Sequence, residues 1–240
     1  MATHPKKAGI PMPAGKKEAS HPRDLYRIAA PIYDACTSFW SGRAIWKSRR
    51  CQIAYMETGS RALYAGGGQG RAAIEAAQAG VQVTLVDRSP AMLRIAKERA
   101  RKAGVTLQFV QADLAHWTPP TPFDHVVANH LFNVFHPASM AHMRQRLIGF
   151  LADSGCLHVA DFRPLHGHAI ARGLQRLHHI IPLSGCAALT RNAMHPIYDH
   201  GAELKDLGWC AVQSIDHRIW SLGPAWYRTW IFRRAFESEE

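Results

Sequence analysis

The sequence predicts an α/β fold, a seven-stranded and mostly parallel sheet with helices on both faces and ligands at the carboxyl ends of its strands. Three observations carry this. An apolar run, Ala62 to Ala65, breaks into Gly66, Gly68 and Gly70 ahead of a helical stretch. A β-branched run from Val81 ends in Asp87, 21 positions after Gly66. Strand-like and helix-like segments then alternate as far as Asp161, and two strand-like runs close the chain.

Each element has its own signal. Val81 to Asp87, V-Q-V-T-L-V-D, has the β-branched content of a buried strand. Ser89 and Pro90 make an N-cap and a first helical turn, and Met92, Ala96 and Ala100 share one face of the helix that follows. Thr106 to Val110 reads as the third strand, and Phe123 to Phe132 as the fourth strand with the loop beyond it. Pro137 to Leu151 has Met140, Met143, Leu147, Phe150 and Leu151 at helical intervals; Asp153-Ser154-Gly155 is expected to act as a stop, and Cys156 to Asp161 as the fifth strand. Leu165 to Ile181 is a further helical stretch, and another ends at Gly208 after Ala202 to Leu207. Trp209 to Ile219 and Ala225 to Phe232 read as a closing pair of strands.

The glycine turn and Asp87 together point to a nucleoside cofactor. Such a turn brings bare amides and a helix N-terminus to a ligand, and a carboxylate ending the next strand can take both ribose hydroxyls. Dinucleotide folds use G-x-G-x-x-G, and Arg71 stands where that third glycine would fall. The spacing of Ala65-Gly66-Gly67-Gly68-Gln69-Gly70 instead resembles motif I of class I S-adenosylmethionine-dependent methyltransferases. Asp87-Arg88-Ser89-Pro90-Ala91-Met92-Leu93 resembles the D-x-S-x-x-M-L signature of their ubiquinone/menaquinone branch. Leu25 to Asp34 is similar to the F/Y-x-x-x-A-x-x-Y-D segment that precedes the core in that branch and folds over the cofactor as a lid.

The resemblance covers residues 25 to 161 and implies a Rossmann-like methyltransferase sheet with a C-terminal antiparallel hairpin, and S-adenosylmethionine as cofactor. It assigns Ala65, Gly66, Gly67, Gly68 and Gly70 to the cofactor turn, Asp87 to the ribose hydroxyls and Met92 to the adenine face, with Arg88 among the cofactor-binding residues. Asp113 falls beside the adenine amino group with Leu114 next to it among the cofactor-binding residues, Asn129 near the sulfonium, and Tyr33 near the methionine part. Tyr64 departs from the pattern, because the family places an acid there to meet the methionine ammonium. Either another group meets the ammonium, or the cofactor is bound weakly or differently.

At 240 residues with 47% hydrophobic content, the chain can build one sizeable core. A single domain over residues 23–240 is expected, with a helical lid over about residues 23–58 and a disordered basic tail over residues 1–22 rich in Pro, Gly and Lys. The tail lacks the apolar centre of a signal peptide, and five widely spaced cysteines without C-x-x-C suggest free thiols in a cytoplasmic setting. His166, His168, His178 and His179 carry no ligand spacing, so no metal is expected.

A net charge of +11 exceeds what a small soluble acceptor requires. Arginines interleaved with large apolar residues at Arg43 to Arg50, Arg163 to Arg176 and Arg228 to Arg234 suit peripheral contact with an anionic membrane. Ile170, Leu174, Leu177 and Ile181 share one helical face, which is expected to pack on the sheet; the alternative is a lipid-like or quinone-like acceptor. A specific nucleic-acid substrate is disfavoured, because Asn129-His130-Leu131-Phe132 lacks the proline pair of base-amino methyltransferases. Transfer to an oxygen or carbon acceptor needs a base, for which His130 is the first candidate and Asp161 the second, with Tyr198 on the acceptor side. A cofactor-binding protein without transfer, or aminopropyl-transfer or lyase chemistry on the same cofactor, are the competing functions.

Overall fold

A computed structural model describes residues 38–190, 197–220 and 223–235, with 181–190 and Val134 described by backbone alone. The sheet has seven strands in the order β3-β2-β1-β4-β5-β7-β6. These are β1 (Arg61–Ala65), β2 (Gln82–Asp87), β3 (Gln108–Gln111), β4 (Phe123–Asn129), β5 (Leu151–Phe162), β6 (Trp209–Arg218) and β7 (Ala225–Arg234). β1 to β5 pair in parallel, and β7 runs antiparallel to both β5 and β6. The predicted parallel sheet with a C-terminal antiparallel hairpin is therefore present.

Side-chain alternation on the inner strands divides the core into two layers. Leu63 and Ala65 of β1 pack with Val126, Leu157, Val159 and Leu147 on one face, while Ala62 and Tyr64 pack with Ile74, Leu85, Leu93 and Val127 on the other. Burial on both faces is why these strands read as continuous apolar runs. Among the described residues the sheet is flanked by α1 (Ala44–Arg50), α2 (Arg71–Gln78), α3 (Pro90–Lys102), α4 (Pro137–Ile148), α5 (Ala169–Thr190) and α6 (His200–Lys205). Ser89 caps α3 as expected, its hydroxyl accepting the Met92 N–H at 3.2 Å, an interaction worth about 1 kcal/mol.

Three expectations are corrected. Asp153-Ser154-Gly155 does not end an element but lies inside β5, where Phe123 pairs with Leu151 while His125 pairs with Cys156. The three residues are absorbed as a bulge between these two points of register. α5 starts later than Leu165 and runs past Ile181 to Thr190. Its apolar face also does not pack on the sheet: Ile170, Leu174 and Leu177 are 73%, 52% and 57% exposed, whereas Gln175 and His179 are buried. Polar partners explain this choice. Gln175 Nε2 donates to the Ala225 carbonyl at 3.1 Å, and His178 Nε2 lies 2.9 Å from the Tyr227 hydroxyl.

The basic runs are partly internal. The guanidinium groups of Arg43, Arg50 and Arg71 lie 4.9, 5.1 and 5.4 Å from the Trp46 ring centroid, and the indole N–H of Trp46 donates to Glu75 at 3.1 Å. Arg163 and Arg228 both pair with Asp216, at 2.9 and 2.5 Å. Among the described residues no helix is long and apolar enough to cross a membrane. The tail, Tyr33 and the part of the expected lid before residue 38 lie outside the described residues.

Candidate functional site

Parallel pairing brings the carboxyl ends of β1, β2, β3 and β4 to one edge of the sheet, and the glycine turn sits there. Gly66, Gly68 and Gly70 have φ of 61°, 56° and 75°, the left-handed region where a side chain is costly. A Cβ on Gly66 would come within 2.7 Å of Leu131 Cδ1, and one on Gly67 within 2.7 Å of Leu85. The glycines thus let the loop after β4 lean directly on the turn. Gly66→Ala is expected to cost about 1–3 kcal/mol through strain and displacement of Leu131, read as a fall in urea-unfolding stability.

Asp87 ends β2 with both carboxylate oxygens positioned by backbone. Oδ2 accepts the Gly68 N–H and Oδ1 the Ser89 N–H, each at 2.8 Å. The Ala112 N–H donates to the Asp87 carbonyl at 3.2 Å and draws the end of β3 to the same edge. There Leu114 and, from α3, Met92 are buried, while Arg88 is exposed. Asp113 is exposed and closes its own turn, its Oδ1 accepting the Ala115 N–H at 2.9 Å. Asn129 ends β4, and its Oδ1 is buried without a hydrogen-bond partner among the described residues. Tyr64 is buried and its hydroxyl is pushed well above the usual tyrosine range, by burial first and by the Glu75 carboxylate second. It is a neutral core group, no substitute for an acid.

Beyond Asn129 the chain turns at His130, whose φ of 53° is left-handed and whose N–H donates to the Ala160 carbonyl at 2.8 Å. This turn sets His130 beside Asp161, Nδ1 standing 3.6 Å from Oδ1. The two candidate bases named from sequence therefore form one cluster. Asp161 Oδ1 also accepts from Asn133 Nδ2 at 2.9 Å and from the Phe162 N–H at 2.8 Å, and Oδ2 lies 3.2 Å from His200 Nε2. Burial alone would raise the Asp161 carboxyl, but hydrogen bonds and charge from His130 and His200 outweigh it and hold the group well below the usual carboxylate range. Burial dominates at His130 and lowers its pKa despite Asp161, so the imidazole is neutral at pH 7. Its Nε2 is buried without a hydrogen-bond partner among the described residues.

The walls are aromatic. Phe162 and Tyr227 each meet the His130 ring edge-on with centroids 5.8 Å apart, and His179 of α5 meets Phe162 at 4.3 Å. Tyr198 is buried beside His200. His200 and Asn133 are the members that sequence reasoning missed. A weak signal existed for His200, because Asp199 is an N-cap whose Oδ1 accepts the Gly201 and Ala202 N–H groups at 3.1 and 3.2 Å. Nothing in the linear order points from there to Asp161. Among the described residues, His166, His168, His178 and His179 form no ligand group.

Residues 62–155, from β1 into β5, match the family described as a methyltransferase domain. Over this stretch the chain is similar to methyltransferase domains. A stretch of 78 residues is 44% identical to the trans-aconitate 2-methyltransferase of Rhodopseudomonas palustris strain BisB18, covering 32% of this chain and 28% of that protein. The chain thus aligns with under a third of the length of that curated relative. The fold of the chain is similar to that of magnesium protoporphyrin IX methyltransferase from Synechocystis PCC 6803, solved with bound SAH, at a TM-score of 0.60 and 20% identity over 82% of this chain and 84% of that one. It is equally similar to 1,6-didemethyltoxoflavin-N1-methyltransferase from Burkholderia thailandensis, with a TM-score of 0.60 and 18% identity over 91% and 93% of the two chains.

Proposed function

We propose that the protein transfers a methyl group from S-adenosylmethionine to a small aromatic or apolar acceptor, with His130 as general base. The observation that carries this reading is the contact of Leu131 with Gly66, which sets the His130 loop against the cofactor turn. The solved relatives include proteins crystallised with SAM or SAH. In this reading the amides of the Gly66–Gly70 turn, Asp87, Met92 and Leu114 hold the nucleoside. Asn129 Oδ1, unpartnered among the described residues, takes an N–H of the methionine part in place of the acid that Tyr64 replaces.

The cofactor supplies an electrophilic methyl on a sulfonium, so the protein's task is mainly alignment and exclusion of water. The acceptor oxygen forms the new bond to carbon as its proton passes to His130 Nε2. The electrons of the broken carbon–sulfur bond stay on sulfur, leaving a neutral thioether. Asp161 does not touch the acceptor; it orients the imidazole and offsets its charge once protonated. The rings of Phe162, Tyr227 and His179 favour a flat acceptor, and the exposed Ile170, Leu174 and Leu177 on α5 support approach of an apolar one or of a lipid surface.

Titration calorimetry with S-adenosylmethionine and S-adenosylhomocysteine tests the cofactor assignment. Micromolar affinity, about −8 kcal/mol, is expected for both, and Asp87→Ala should abolish measurable binding of either. Absence of binding to the unaltered chain overturns the cofactor and the transfer reaction together. Binding of both without methylation of any quinone, phenol or lipid acceptor would favour the non-transferring alternative, which Tyr64 in place of the motif I acid also favours.

A further inference from the structure

The parallel register of β4 and β5 assembles a second group of side chains. His125 is the Cα partner of Cys156, and His158 lies two positions further along β5, so all three project from the same face of the sheet. One donor atom from each lies within 4.8 Å of the others, and all three residues are buried. His125 Nδ1 and His158 Nε2 are 3.1 Å apart. A tetrahedral zinc ion holds two imidazole nitrogens about 3.4 Å apart, from its metal–nitrogen distance of about 2.0–2.1 Å. The pair therefore needs to open by only a few tenths of an ångström to admit an ion.

The surroundings are those of a metal site. The other ring nitrogen of His125, Nε2, lies 3.1 Å from Glu57 Oε2. A carboxylate there fixes the proton on Nε2 and leaves the Nδ1 lone pair toward His158, the outer-shell arrangement common to metal-bound histidines. Arg233 Nε donates to Cys156 Sγ at 3.1 Å, so a guanidinium stands beside the sulfur. Cys156 is in no disulfide. We propose that His125, Cys156 and His158 bind Zn²⁺ or a similar thiophilic divalent cation, with water in the fourth position. This revises the sequence expectation of no metal, which rested on linear spacing; the ligands here come from two strands and are joined only by register.

The site also has a use in this fold. His125 and Cys156 each lie five positions before the cluster members His130 and Asp161 on the same two strands. An ion clipping β4 to β5 at that point would pin the register that faces His130 to Asp161. No step of methyl transfer passes through it.

Cobalt is the probe, because a thiolate bound to Co²⁺ gives a near-ultraviolet charge-transfer band that histidines elsewhere in the chain cannot produce. The metal-free full-length protein is titrated with Co²⁺ and then with Zn²⁺. One equivalent of Co²⁺ should give the band together with visible bands of tetrahedral cobalt, and Zn²⁺ should remove both. Cys156→Ser should lose the charge-transfer band, while Cys51→Ser and Cys210→Ser keep it. Glu57 is exposed, so Glu57→Gln leaves the fold undisturbed and should weaken binding by about 10–100-fold. Cobalt binding without the band, a band that survives Cys156→Ser, or an affinity indifferent to Glu57→Gln would each overturn the proposal.

Discussion

His130→Ala is expected to lower turnover by about 10²–10⁴-fold while the affinity for S-adenosylmethionine stays unchanged. The split follows from placement. In the proposed reading Asp87 and the glycine turn hold the nucleoside at the ends of β2 and β1, whereas His130 belongs to the loop beyond β4 and offers a buried Nε2 to the acceptor. Removing it would delete the proposed proton acceptor and leave the amides of the glycine turn in place. The pH profile gives a second readout. Only the neutral imidazole accepts a proton, and burial lowers the His130 pKa from its ordinary value of 6.5. The rate of the unaltered enzyme should therefore hold down through pH 6.5 and fall at more acid pH, and this acid limb should be missing from the residual rate of His130→Ala. The comparison is made by kcat/KM against pH, with calorimetry of cofactor binding beside it. Equal turnover in the two proteins would remove His130 as the base.

What the sequence made legible here was local. The glycines and Asp87 could be recognised because a tight strand-to-helix turn and a strand-end carboxylate are each specified within a few neighbouring residues, and the structure joins them by the Gly68 N–H. The closing hairpin was visible for the same reason, since Gly223 and Pro224 separate two runs of strand formers. The Asp161 cluster was half legible. His130 and Asp161 could be proposed one at a time as residues ending strands, but their contact depends on the pairing of β4 with β5, and His200 reaches Asp161 from 39 positions away. The apolar stripe of α5 misled because period alone cannot say which face docks. Gln175 and His178 found hydrogen-bond partners on β7, and those bonds turned Ile170, Leu174 and Leu177 outward. The bulge at Asp153-Ser154-Gly155 was hidden likewise, because turn-forming residues inside a strand look the same in sequence as residues that end one.

Asp161→Ala should cost about 3–5 kcal/mol of folding stability, because several buried donors lose their acceptor at about 1–3 kcal/mol each. The carboxylate is 3% exposed, and its loss strands the Asn133 amide, the Phe162 N–H and His200 Nε2 together. Asp161→Asn keeps one acceptor oxygen for Asn133 and Phe162 and should cost only about 1–2 kcal/mol, because His200 must change its tautomer to meet the new amide. The sign of the pH dependence follows from the lowered folded-state pKa. A carboxyl that is more acidic in the folded state than its unfolded value of about 3.9 contributes fully above that pH and progressively less below it. The gap between unaltered protein and Asp161→Ala should therefore be constant from about pH 8 to 5 and narrow below about pH 4, as measured by urea unfolding. A gap under about 1 kcal/mol at pH 7 would mean the carboxylate is not the acceptor of this cluster. The asparagine variant also separates two roles that coincide in the native side chain. If Asp161 acts by orienting His130 and offsetting its charge, Asp161→Asn must lose turnover far beyond its modest loss of stability, with cofactor affinity intact; a variant that is merely less stable would keep its rate at temperatures where it is folded.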